Sequence, residues 1–125
     1  SNGTAMPNQG FVKSLGFKIA VPFDFDRTGI VNTEYSGTPP ELNLRDCRDR
    51  IFQGMCYNRE VYQKALNEIK SKKGELYSVI NDFSLLSQRS KKDITLYLDS
   101  FFDQLEKQKD IEILINNFVA NCKKL

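Results

Sequence analysis

The residue types best able to do chemistry are three cysteines, Cys47, Cys56 and Cys122, in a chain with no histidine. Two of them bracket the stretch CRDRIFQGMC, residues 47–56. Such a pair can be a disulfide, half of a metal site, a nucleophile, or two buried thiols. The missing imidazole removes the usual general base, a common metal ligand and any Ser-His or Cys-His arrangement. Three cysteines without a CxxC pair do not make a tetrahedral zinc site, so neither a metal nor another cofactor is expected. On a continuous helix, Cys47 and Cys56 would lie about 900° of rotation and roughly 13 Å apart, on opposite faces. A bond needs Cα atoms within about 7 Å, so joining these two would require the helix to break at Gly54. Cys47 and Cys122 each fall on the apolar stripe of their own predicted helix. They are the expected pair, bonded or packed as thiols, with Cys56 left over.

A second candidate is AVPFDFDRTGIV, residues 20–31, where an apolar run leads into Asp24-x-Asp26-x-Thr28. Carboxylates two apart at a strand end converge on one cation. The stretch resembles the first motif of the haloacid-dehalogenase-like phosphatases. That resemblance implies a Mg²⁺-dependent phosphatase with Asp24 as nucleophile and Asp26 as acid-base. It departs from the family at Pro22, which a central strand would not carry, and in the helical character of the remaining chain. Turn capping and solvation of a hairpin tip explain the same aspartates. The longer GFKIAVPFDFDRTGIVNTEY, residues 16–35, is similar to the opening of small baseplate-wedge proteins of contractile phage tails and related secretion machines. That similarity implies a structural component, although the family's glycine-glutamate-arginine turn and proline-phenylalanine-glycine are missing.

The elements that would position these residues follow from hydrophobic period. Phe17, Ile19, Val21, Phe23 and Phe25 alternate as in a half-buried strand, which Pro22 confines to an edge. Residues 30–35 read as its partner, giving a hairpin over about 17–35. The TPPE sequence at 38–41 predicts a helix start, with Thr38 as cap and prolines in the first turn. That helix, 39–57, would carry Leu44, Cys47, Ile51 and Met55 on one face, weakened at Gly54. One long helix is expected over 58–87, although KSKKG at 70–74 permits a break there. Two more are expected, at 90–108 with Ser90 and Asp93 at its cap and at 110–123 with Asp110 at its cap. The expected fold is therefore α-rich α+β, an N-terminal β-hairpin packed on a bundle of about four helices, one of them long. Ser1 to Met6 reads as an expression remnant, and 7–125 as a single domain.

With 18 basic against 16 acidic residues, the net charge of +2 supplies no concentrated footprint for nucleic acid. The clusters Lys70, Lys72 and Lys73; Arg89, Lys91 and Lys92; and Lys123 and Lys124 sit near predicted helix ends, where cations complement the macrodipole. No run approaches the roughly 18 apolar residues of a membrane span. These features predict a non-enzymatic protein-protein interaction or assembly module, with a protein partner or self-association. Its expected docking surfaces are the strand edge at Phe17, Ile19, Val21 and Phe23 and the long helix.

Overall fold

The computed structural model describes residues 9–12, 17–20, 28–35 and 37–124, with side chains from Thr28 onward. From Thr28 on, the described residues form a helical body of four α-helices: α1 (Arg59–Ser71), α2 (Lys73–Asp82), α3 (Gln88–Phe102) and α4 (Gln108–Asn121). The expected hairpin-on-bundle fold is corrected. Ile30 to Tyr35 is turn and loop, because the Val31 and Asn32 N–H groups both donate back to the Thr28 carbonyl at 3.0 Å. Asn32 then turns into the left-handed region at φ 51°, so this stretch does not lie as a strand. Phe17–Ala20 pairs antiparallel with Gln9–Val12 instead, Phe17 opposite Val12 and Ile19 opposite Gly10.

The expected helix over 39–57 is also absent. Pro40–Leu42 is a single 3-10 turn behind Pro39, closed by Asn43 at φ 49°. Thr38 does not cap it; its hydroxyl donates to the Leu44 carbonyl. Beyond it, the Asp46 carboxylate accepts the Arg48 N–H at 2.7 Å, and the Asp49 carboxylate accepts the Arg45 N–H at 2.8 Å. Short polar side chains that take backbone N–H groups locally compete with helix formation, and here two of them, Asp46 and Asp49, follow the left-handed Asn43. The result is an irregular strap, residues 43–58, laid over the helices.

The other helices begin and end for local reasons. Asn58 caps α1, its side chain accepting the Val61 N–H at 3.2 Å. The expected 58–87 helix divides at Lys72, whose N–H donates to both the Ile69 and Lys70 carbonyls, a tightening typical of a helix end. Ser87, rather than Ser90, caps α3 by accepting the Ser90 N–H. A 3-10 turn, Asp103–Leu105, follows α3 directly. Asp110 lies within α4, one turn in; Lys107 holds the cap position without a side-chain bond.

Among the described residues, the core is drawn from these helices and the 3-10 turn after α3: Tyr62, Leu66, Ile80, Leu98, Phe102, Leu105, Ile111 and Ile115, with Phe102, Leu105 and Ile115 the most fully enclosed. α1 packs against α4 and α2 against α3. The Lys70 ammonium donates to the Leu105 carbonyl at 2.7 Å, answering an acceptor at the turn between α3 and α4. Tyr77 of α2 is half-buried against Phe102, and its hydroxyl donates to Asp99 of α3 at 2.5 Å. Burial, then the hydrogen bond to Asp99, pushes the Tyr77 phenol above its ordinary range.

A tyrosine whose folded pKa is raised stabilises the fold below the unfolded value, and that contribution is lost as pH rises above about 10. Denaturation midpoints measured from pH 8 to 11 are therefore expected to fall on the alkaline side. The fall should be shallower in Tyr77→Phe; identical slopes would contradict this role for the Tyr77 phenol.

Candidate docking cleft

The strap is fixed through side chains at every second position. Arg48 forms a two-pronged ion pair with Asp93 of α3, and its Nε donates to the Gly29 carbonyl at 3.0 Å. Arg50 donates from one nitrogen to the Tyr97 carbonyl and the Ser100 hydroxyl, both at 2.6 Å. Its guanidinium also lies over the Tyr97 ring at 4.6 Å and the Phe101 ring at 5.7 Å. Phe52 stacks on Phe118 of α4 at 4.3 Å and meets Tyr62 edge-on at 5.6 Å. Gly54 leaves room for this ring, because a Cβ there would meet Phe52 Cε2 at 2.9 Å.

The strap then runs beside the end of α4. The Lys123 N–H donates to the Gly54 carbonyl at 2.9 Å, and the Cys56 N–H to the Lys123 carbonyl at 3.1 Å. Cys56 and Cys122 are joined as a disulfide with Cα atoms 4.9 Å apart. The expected Cys47–Cys122 pair is thus corrected. With no helix over 47–56, the strap places Cys56, not Cys47, beside Cys122. Cys47 is the free, half-buried thiol, 3.3 Å from the Asn32 side-chain oxygen. Just past the bridge, the Tyr62 hydroxyl accepts the Tyr57 N–H at 3.0 Å and donates to the Met55 carbonyl at 2.8 Å.

Between strap, α3 and α4 this arrangement leaves a cleft of about 720 Å³, within the usual range for binding sites. Its apolar lining comes from Ile51, Phe52, Phe101, Ile113, Leu114 and Phe118, with Arg50, Asp103, Gln104, Asp110 and Asn117 as its polar members. Ile113 is 57% exposed. No side-chain hydrogen bond or ion pair among the described residues engages the Asp103 or Asp110 carboxylate. Arg50 is oriented by neutral partners, Tyr97, Ser100 and two ring faces, and keeps its charge, but two carboxylates against one guanidinium leave the lining net negative.

Of the residues singled out from the sequence, Val21, Phe23, Asp24 and Asp26 lie outside the described residues. Among the basic clusters, Lys70 and Lys73 reach Glu106 at 3.8 and 3.4 Å, and Lys72 reaches Glu75 at 3.0 Å. Among the described residues, no group of three metal-ligating side chains converges, and no helix is long and apolar enough to cross a membrane. The helical spacing of Leu44, Cys47, Ile51 and Met55 masks the cleft residues of the strap in the sequence. The available signal was the period of two in Arg48, Arg50 and Phe52. No family model, no curated protein and no solved structure matches the chain, so the chemistry of the cleft rests on its own residues.

Replacing Arg50 by alanine removes two hydrogen bonds and its ring contacts, and should cost about 1 kcal/mol. Arg45→Ala, which loses only an exposed pair with Asp49, should leave the midpoint unchanged. Urea denaturation of the two variants checks this; equal midpoints would show that Arg50 does not hold the cleft wall.

Proposed function

We propose that this chain is a non-enzymatic protein-interaction module, and that it takes a segment of a partner protein in the cleft between strap, α3 and α4. One observation carries the reading: an apolar cleft walled by Phe52, Phe101 and Phe118, with two carboxylates, Asp103 and Asp110, on the same lining that no side chain among the described residues pairs by hydrogen bond or ion pair. Such a site suits a peptide that offers an apolar side chain to the floor and a lysine or arginine to the rim. The apolar side chain supplies burial, and the cation supplies orientation. Electrostatic selection works here although the whole chain carries +2, because the local balance and not the net charge faces the ligand.

Panning a displayed random-peptide library against the full chain tests the proposal. Enrichment of sequences with leucine or an aromatic residue beside lysine or arginine is expected. Binding should be lost with Ile113→Asp, whose position is exposed enough to leave folding intact. It should weaken roughly tenfold when Asp103 and Asp110 both become asparagine. No enrichment, or equal binding to Ile113→Asp, would overturn it.

A further inference from the structure

The disulfide beside the cleft lies where a reductant can reach it. Cys56 is exposed and Cys122 half-buried, so an incoming thiolate meets the Cys56 sulfur first. Exposed disulfides are the labile ones, and exchange runs faster when the departing sulfur leaves readily as a thiolate. Lys123 and Lys124, both exposed, follow Cys122 directly. Neighbouring ammonium groups favour a thiolate, and here they offset the negative end of α4, which closes at Asn121. Cys56 is thus the point of attack and Cys122 a competent leaving group.

The strap is anchored in two different ways. Arg48 and Arg50 hold it to α3 through contacts that do not involve sulfur. Residues 51–57 are held by the disulfide, the two backbone bonds to Lys123, the Phe52 stack on Phe118 and the Tyr62 hydroxyl. This stretch forms no helix and contributes none of the fully buried core residues. Segments with few buried contacts open before the packed core does. Once the bond is broken, 51–57 is therefore the first part to leave, and it takes Ile51 and Phe52 out of the cleft wall. We propose that the Cys56–Cys122 bond is a reducible latch, and that a protein dithiol opens the strap and so switches off docking. This rests on the reading of the cleft as a docking site. In the step, one thiolate of the dithiol attacks the Cys56 sulfur, and the S–S electron pair leaves on Cys122. The second thiol then displaces Cys56. The dithiol is oxidised to a disulfide, the bond is reduced by two electrons, and the two protons end on Cys56 and Cys122.

The test uses the full chain with Cys47→Ser, which leaves Cys56 and Cys122 as its only cysteines, and dithiothreitol without denaturant. The bond should open under these native conditions. Hydrogen exchange in residues 51–57 should then speed up roughly tenfold, while the circular dichroism spectrum keeps its helical signal. A peptide enriched by panning against the oxidised chain should bind roughly tenfold more weakly after reduction, and reoxidation should restore its affinity. Adding Cys56→Ser and Cys122→Ser should reproduce the reduced behaviour with or without dithiothreitol. A bond that opens only in denaturant, unchanged exchange in 51–57, loss of the helical signal on reduction, or equal peptide affinity in both forms would overturn the latch. The exchange measurement needs no ligand. If no peptide binds even the oxidised chain but exchange still rises on reduction, the docking reading fails while the opening of the strap is supported.

Discussion

The bond between Cys56 and Cys122 sets where the strap lies, and the strap sets the cleft. The linked residues are 66 positions apart in sequence. Closing a loop of that length removes unfolded-state freedom worth about 4 kcal/mol in the chain-entropy picture. This is a large share of the stability of a small domain, and the buried core of the described body is only eight residues. The two backbone hydrogen bonds between Gly54, Cys56 and Lys123 lie beside the bond. They hold the strap extended where Phe52 reaches the Phe118 ring. Such a bond persists in oxidising surroundings, so the state of the cleft is tied to the redox conditions the chain meets.

Two arginines extend this constraint from α4 to α3. Arg48 and Arg50 reach α3 from an irregular backbone, one through a carboxylate, the other through a backbone carbonyl, a hydroxyl and two ring faces. A planar guanidinium can satisfy several acceptors while its faces remain against rings, which lysine cannot do. The strap therefore needs few buried apolar groups of its own. Phe52 supplies most of them, and Ile51 stays at the rim of the cleft. Docking surface and fold share the same residues: the rings that line the cleft also help close the core.

The helices that pack by an apolar stripe were legible in the sequence. Leu98, Phe102 and Leu105 share the phase that the period of α3 assigns them, and Ile111 and Ile115 that of α4; all five are buried. What sequence period misread was residues 39–57. Leu44, Cys47, Ile51 and Met55 mimic a helical face, but Asn43, Asp46 and Asp49 divert the backbone into local turns, and tertiary contacts then favour alternation. The wrong cysteine pair followed from that one error, since helical phase put Cys47 and not Cys56 toward Cys122. Ile30 to Tyr35 failed for a related reason: its composition suits a strand, but the turn closed on the Thr28 carbonyl removes the extended backbone that pairing needs.

Peptide mapping of the non-reduced chain, with free thiols alkylated before digestion, tests this account most directly. The account predicts a disulfide-linked pair of peptides containing Cys56 and Cys122, and the alkyl label on Cys47 alone. A peptide linking Cys47 to Cys122, or label on all three cysteines in material handled without reductant, would contradict it.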